Sequence, residues 1–332
     1  MIDSTKNTPV DRVKLVLGTM TFGERVDIRV AREMIHLFQN RGGHEVDTAF
    51  VYNEGSSERI LGSLLGTANS SDIVVATKVH PRVSGRLDAQ SITDQLYKSL
   101  ERLGVPSVDI LYLHFPDHST PIEETLEACA SLFAEGKFKE LGLSNYPAWA
   151  VVDIWHTCNR HGWPTPTVYQ GLYNPLSRTI ESELVPAIRR LGMRLYAYNP
   201  LAGGLLTDRY ETWTQAPSSG RFTLRPGYRD RYWNSPMFEG RAVLADACED
   251  AGLAVAEAAY RWLVYHSQLN ARLGDGIIVG ASTLEQLKRN FTATDKGALP
   301  ISVLDALETA WLKSKSQAPS YHRVHSSNQS SR

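Results

Sequence analysis

VDILYLH (108–114), TPIEETLEACASLFAEG (120–136) and FKELGLS (138–144) hold the fold in miniature. Two short β-rich apolar runs flank one stretch of helical period, the pattern of a parallel β-α-β unit. In the middle stretch Thr120 can cap a helix, Pro121 suits its first position and Glu123 completes a Thr-x-x-Glu capping box. Ile122, Leu126, Cys129, Leu132 and Phe133 recur on one face, and Gly136 is placed to end the helix. Working outward, the same kind of run recurs upstream as KLVLGT (14–19), HEVDTA (44–49) and IVVATKV (73–79). Downstream it recurs as TVYQG (167–171), MRLYAYN (193–199) and GIIVG (276–280).

Eight units between about residues 13 and 297 predict an α/β chain folded as one (β/α)8 TIM barrel. A C-terminal helix over about 301–316 completes a domain of residues 13–316, between an N-terminal tail (1–12) and a Ser-rich tail (317–332) read as disordered after Arg323. The length of 332 residues also allows two domains, but a doubly wound sheet has fewer strands and a glycine-rich phosphate loop after the first. The nearest match, Gly274, Gly276 and Gly280, runs into a strand and reads as a turn.

Composition narrows the function. Hydrophobic residues are 42% of the chain, and 35 Lys+Arg balance 36 Asp+Glu, which excludes disorder throughout and lacks the basic excess of a nucleic-acid binder. No apolar run approaches the roughly 18 residues needed to span a bilayer, so the expected partner is a small molecule. MIDSTKNTPVDRVKL has neither a secretory h-region nor an Arg-rich transit pattern, making a cytoplasmic location the expectation. On that expectation the sequons at Asn69, Asn290 and Asn328 carry no weight. Cys129, Cys158 and Cys248 are far apart and read as reduced core residues, and no His/Cys/Asp/Glu cluster has metal-ligand spacing. GxxxxGK[ST], HExxH and GxSxG are missing.

Residues 200–238 break the βα rhythm. Arg209, Arg221, Arg225, Arg229 and Arg231 alternate there with Tyr210, Trp213, Phe222, Tyr228, Tyr232 and Trp233, a mixture suited either to gripping a phosphate-bearing aromatic ligand or to packing on the barrel top. In a barrel the C-terminal strand ends converge on the active face, and four polar residues fall there: Asp47, Tyr52 five positions on, Lys78 and His114. A buried ammonium in TKV needs a partner, and Asp47 is the natural one. Together they would hold a positive charge near the Tyr52 phenol and lower its pKa toward that of a working general acid. His36, His44, His80, His118, His156, His161 and His266 receive no role.

LGTMTFG (17–23), EVDTAFVYNEGSSERILG (45–62), TK (77–78), VDILYLH, LGLSNY (141–146), YQGLYN (169–174) and NPLAGGLL (199–206) resemble the aldo-keto reductase superfamily over nearly the whole chain. FPDHSTPIEETL (115–126), EGKFKELGLSNY (135–146) and RYW (231–233) most resemble its aflatoxin-aldehyde reductase branch. The resemblance implies a cytosolic, NADPH-dependent, dimeric reductase of carbonyl compounds with the tetrad Asp47, Tyr52, Lys78 and His114, Tyr52 giving the proton. It implies that Ser144, Asn145 and Gln170 hold the nicotinamide carboxamide beside the Tyr198 ring. Asn199, Pro200, Leu201, Gly203, Gly204 and Leu205 would cover the pyrophosphate. Gly280, Ser282, Gln286, Arg289 and Asn290 would hold the adenosine end, with Ser282 opening the last barrel helix and Arg289 or an arginine of the 209–231 loop, Arg209 among them, meeting the 2′-phosphate; no acidic ribose acceptor is identifiable. Met20, Arg231 and Arg323 would join Tyr52 and His114 around the substrate, Arg323 recognising an anionic group. A regulatory barrel resembling the potassium-channel beta branch, binding NADPH with little turnover, is the alternative; a hydrolase lacks the paired strand-end carboxylates it needs.

Overall fold

The computed structural model describes residues 12–65, 73–215 and 217–323. Residues 1–11, Asn69, Asn328 and the tail expected to be disordered after Arg323 lie outside them. Among the described residues eight strands alternate with helices: β1 (Lys14–Gly18), α1 (Ile28–Gln39), β2 (Glu45–Asp47), α2 (Ser56–Leu65), β3 (Val74–Val79), α3 (Ala89–Leu103), β4 (Val108–Leu113), α4 (Ile122–Ala134), β5 (Phe138–Ser144), α5 (Ala148–His161), β6 (Pro166–Leu172), α6 (Leu184–Arg190) and β7 (Arg194–Tyr198). After β7 come α7 (Arg221–Leu224), α8 (Pro226–Tyr232), α9 (Ser235–Asp250), α10 (Val255–Tyr265), β8 (Gly276–Val279), α11 (Leu284–Thr294) and α12 (Ile301–Ser314). The strands are parallel, each pairs with its neighbour, and β1 pairs with β8 from Lys14↔Gly276 to Leu17↔Val279, so the sheet closes as the expected (β/α)8 barrel.

Residue parity explains both the apolar runs and the site. Val46, Val75 and Leu111 belong to the layer between strands and helices, whereas Ala76, Ile110 and Tyr112 join Val16, Val168, Tyr196 and Ile278 inside the barrel. Burial on both faces makes the strands read as continuous hydrophobic runs. The same alternation turns Glu45, Asp47 and Lys78 inward. Asp47 and Lys78 come at the C-terminal ends of their strands, and Glu45 comes at the opposite end, where its Oε2 accepts from Lys14 Nζ and the Tyr196 hydroxyl, each at 3.0 Å.

Some local expectations are corrected. The capping box of α4 does not form: Pro121 is the N-cap and no side chain caps it. The Thr120 hydroxyl bonds instead to Asp117, an ionised acceptor stronger than the helix could offer. Phe133 is 40% exposed and meets the Phe138 ring rather than the core face. The irregular 200–238 segment contains α7 and α8, and most of its aromatics pack on one another: Phe222 and Trp233 are edge-on to Tyr210, and Trp233 is edge-on to Phe238. The C-terminal helix ends at Ser314 and packs along α9, where Gly240 permits the approach: a Cβ there would lie 2.6 Å from the Ala310 carbonyl oxygen. Among the described residues no helix is long and apolar enough to cross a membrane.

Candidate active site

Asp47 ends β2, Lys78 is the penultimate residue of β3 and His114 follows β4 directly. Tyr52 lies in the turn after β2, where Asn53 and Glu54 take left-handed φ angles of 49° and 55°. Two successive non-glycine residues in that region are a costly choice. The Asn53 side chain offsets it by donating Nδ2 to the carbonyls of Met20 (2.9 Å) and Phe22 (2.7 Å). Lys78 is fully buried beneath this turn; its Nζ donates to Asp47 Oδ1 (2.6 Å), the Thr48 carbonyl (2.7 Å) and the Tyr52 hydroxyl (3.4 Å). Gln170 Nε2 donates to the other Asp47 oxygen at 2.8 Å. Every charge in the cluster therefore has a partner, the condition for keeping an ion pair out of water.

The electrostatics differ from the expectation in one respect. Burial first, then Asp47, holds the Tyr52 phenol well above its ordinary range, and only Arg225 pulls it down. The ammonium expected to lower it is neutralised by Asp47 at 2.6 Å and is itself pushed down by burial. Tyr52 is thus kept protonated, the form an acid must have. The His114 ring meets the Tyr52 ring edge-on at 5.9 Å. Burial, then His80, Lys78 and Arg82, hold its pKa well below the usual histidine value, and among the described residues its buried Nδ1 has no hydrogen-bond partner, so the ring is kept neutral.

Around this floor the residues expected to bind ligand line one cavity of about 880 Å³: Met20, Tyr52, His114, Ser144, Asn145, Gln170, Tyr198, Asn199, Pro200, Leu201, Gly203, Gly204, Arg209, Arg231, Gly280, Ser282, Gln286, Arg289 and Asn290. Asn145 takes φ 65° and ties several of them together. Its Nδ2 donates to the His114 carbonyl (2.9 Å) and Ser144 Oγ (3.0 Å), while its Oδ1 accepts the Tyr198 hydroxyl (2.8 Å). Beyond β7, Asn199, Ala202, Gly203 and Gly204 all have positive φ (64°, 49°, 71° and 108°), and Asn199 Oδ1 accepts the Gly203 amide at 3.1 Å. The remaining amides are spent inside the turn as well, Ala202 on the Asn199 carbonyl, Gly204 and Leu206 on that of Leu201 and Leu205 on that of Ala202, so the segment presents backbone with little side chain rather than free donors.

Four expected placements change. Leu205 is wholly buried in the core. Arg323 reaches the site by its backbone alone, its N–H donating to the Asn145 carbonyl at 3.0 Å. Arg209 faces the cavity but commits Nη2 to the Ser219 carbonyl at 3.0 Å. At the adenosine end Thr283, not Ser282, caps α11, and the Ser282 amide donates to Gln286 Oε1 at 3.0 Å. Asp208, Glu257 and Glu285 also line the cavity, so acidic groups are present where none was identified; Glu257 is paired with Arg261 (3.0 Å) and Lys296 (2.7 Å).

The cavity also contains residues that sequence reasoning passed over. His80, given no role, follows β3 directly and stands 5.0 Å from the His114 ring, with Phe115 closing the cluster at 4.7 Å from His80. The strand-end rule that found His114 marks His80 equally. Arg82 is a cavity residue as well, and so are Arg225 and Tyr228, which the sequence marked only as members of the 200–238 segment. Among the described residues no His/Cys/Asp/Glu group could hold a metal ion.

The sequence matches the model of the Aldo/keto reductase family over residues 14–312. It is 46% identical to Aflatoxin B1 aldehyde reductase member 2 of Homo sapiens, over 95% of this chain and 91% of that protein. It is likewise 46% identical to Aldo-keto reductase family 7 member A3 of Homo sapiens, over 94% of this chain and 98% of that protein. Oxidoreductase sirO of Leptosphaeria maculans is 36% identical, over 92% of this chain and 96% of that protein.

Proposed function

The chain belongs to the aldo/keto reductase family and is an oxidoreductase; from that premise we propose that it reduces aldehydes or ketones to alcohols with NADPH, Tyr52 giving the proton. The observation that carries this reading is the line from Asp47 through Lys78 to the Tyr52 hydroxyl on the cavity floor, with His114 edge-on to the phenol.

The lining fits the cofactor. Ser144, Asn145 and Gln170 would meet a carboxamide by exchanging bonds that Asn145 now makes to His114 and Ser144 and Gln170 to Asp47, and Tyr198, its hydroxyl held by Asn145, offers a ring face. The turn Asn199–Gly204, with Pro200 and Leu201 at the cavity wall and Gly203 and Gly204 permitting close backbone approach, would cover a pyrophosphate, and Gly280, Ser282, Gln286 and Asn290 border the adenosine end. Arg289 and Lys288 there outweigh Glu285, Lys296 being held by Glu257 at 2.7 Å, which favours a 2′-phosphate over a bare ribose.

When bound, the reduced nicotinamide supplies the hydride. Tyr52 and the neutral His114 hold the carbonyl oxygen, and Tyr52 passes its proton to that oxygen as the carbon is reduced. Lys78 fixes the phenol, Asp47 and Gln170 fix Lys78, and Met20, Phe115 and Tyr228 shield the reacting carbon from water; Arg231 completes the substrate wall. The small-molecule substrate, cytoplasmic location and homodimer belong to the same proposal. Tyr52→Phe tests it: turnover of NADPH with a panel of aldehydes should fall roughly 10²- to 10⁴-fold while NADPH affinity is unchanged. Near-normal turnover would remove Tyr52 from the chemistry.

A further inference from the structure

The turn that carries Tyr52 is folded around a side chain from another element. Asn53, Glu54 and Gly55 take left-handed φ angles of 49°, 55° and 81° in succession, and only the last is a glycine. Asn53 ties them to the carbonyls of Met20 and Phe22 after β1. The inside of the turn is filled by Arg102, from the last turn of α3. Its Nη1 donates to the Phe50 carbonyl at 3.0 Å, and its Cζ lies over the Phe50 ring, 4.3 Å from the centroid. At the other end Gly55 lies so close that a Cβ there would stand 2.4 Å from the same Cζ. The guanidinium is itself fixed. Nη1 also donates to Oε2 of Glu58, a wholly buried residue of α2, at 3.0 Å. The other Glu58 oxygen accepts the hydroxyl of Thr77, the residue before Lys78, at 2.7 Å. Gly62, one helical turn beyond Glu58, lets α2 meet the end of α3, since a Cβ there would stand 2.4 Å from the Arg102 carbonyl oxygen.

Left-handed backbone at non-glycine residues persists only where the surroundings over-determine it, and such strain gathers at functional sites. Arg102 supplies that constraint from within the turn, and at a cost: its buried Nε, closed over by Gly55, has no hydrogen-bond partner among the described residues. We infer that Arg102, set by Glu58, is a positioning residue for the proton donor, holding the turn in the shape that brings the Tyr52 hydroxyl to Lys78 and its ring edge-on to His114. This rests on Tyr52 being the proton donor. Arg102 lies outside the cavity, so it acts on the chemical step through the turn alone. The contact from Lys78 Nζ to the Tyr52 hydroxyl is already long at 3.4 Å. A shift of about 1 Å in the turn ends it, and a misplacement of that size costs about 10²-fold in rate.

Arg102→Met removes the guanidinium while keeping an unbranched side chain. With saturating NADPH and an aldehyde, kcat per folded molecule should fall about 10²-fold while the Kd for NADPH is unchanged. The solvent deuterium isotope effect on the single-turnover rate should rise, because transfer from a misplaced phenol becomes limiting. A merely structural arginine would lower the folded fraction and leave both quantities at their wild-type values, and that result overturns the inference. Methionine also leaves Glu58 an unpaired buried charge, which costs stability. Arg102→Lys avoids this, keeping Glu58 paired while offering Phe50 and Gly55 no planar face; it should lose about 10-fold in kcat with the same rise in isotope effect, and wild-type values for both count against the role. Hydrogen exchange separates a failure of this inference from a failure of the reductase reading. In either variant the amides of residues 50–56 should exchange at least roughly 10-fold faster while β4 and β5 keep their protection. Equal protection of residues 50–56 in variant and wild type refutes the role of Arg102, whether or not the chain reduces aldehydes.

Discussion

Lys78→Met separates what the buried ion pair does for stability from what it does for chemistry. Methionine fills nearly the same space, so the substitution removes the ammonium while opening little cavity. It strips Asp47 Oδ1 of its 2.6 Å partner and the Thr48 carbonyl of its 2.7 Å donor, leaving the carboxylate only Gln170 at 2.8 Å. Breaking a buried pair from one side costs about 3–5 kcal/mol, a large share of the roughly 5–15 kcal/mol that holds a domain together. Melting should therefore fall by roughly 6–15 °C. Adding Asp47→Asn removes the stranded charge and should restore most of that loss. Activity should follow a different course, because both variants leave the Tyr52 hydroxyl without the Lys78 contact at 3.4 Å. Single-turnover oxidation of saturating NADPH should stay down by at least about 10²-fold in the stable double variant. Melting within a degree of wild type for Lys78→Met would refute the energetic argument. Recovered turnover in the double variant would show that the pair is scaffold only.

Stability should depend on pH through His114. Its folded pKa lies well below 6.5, so below that pH the unfolded chain takes up a proton that the folded chain refuses. Stability falls as pH drops from 6.5, by up to about 1.4 kcal/mol per unit, and His114→Gln should flatten the slope measured by denaturant titration between pH 7.5 and 5.5. Reduction itself should show no loss from Tyr52 ionisation below about pH 10, because burial raises rather than lowers that phenol; a basic limb near neutrality in kcat/KM, absent from a pH-insensitive control reaction, would contradict this. NADPH should be preferred over NADH by a factor that shrinks as salt rises, and equal kcat/KM for the two at low ionic strength would mean that Lys288 and Arg289 do not face a 2′-phosphate. Gly240→Ala should destabilise despite the roughly 1 kcal/mol that alanine contributes in a helix, since its Cβ would stand 2.6 Å from the Ala310 oxygen; a raised melting point would show that α9 and α12 can separate at no cost.

The strand order was legible because burial on both faces imposes continuous apolar runs, and the clustering of Asp47, Lys78 and His114 was legible because each stands at a strand end, with Tyr52 in the turn beyond β2. His80 obeyed the same rule and was passed over because a histidine between strand and loop reads equally well as packing. The adenosine end was harder. Ser282 and Thr283 are both plausible caps, and only the bond from the Gln286 amide to Thr283 chooses between them. The segment after β7 was least legible, since its path is set by contacts far away in sequence, such as Arg225 with Glu24 and Tyr228 with Met20. Arg225 was visible there as one of several arginines, with nothing nearby to say which would reach the proton donor.

The pairing of β1 with β8 also sets the order in which the molecule can be completed. Roughly 260 residues separate Lys14 from its partner Gly276. At a synthesis rate of about 5–20 residues per second, the first strand waits on the order of ten to fifty seconds for the neighbour that closes the ring. Until then the nascent sheet has two open edges, and an unpaired edge is a template for pairing with another chain. Contacts this distant also make folding slow once the chain is released. The interval before closure is therefore when this protein is most exposed to aggregation, and a chaperone that covers the edge of β1 would act on it then.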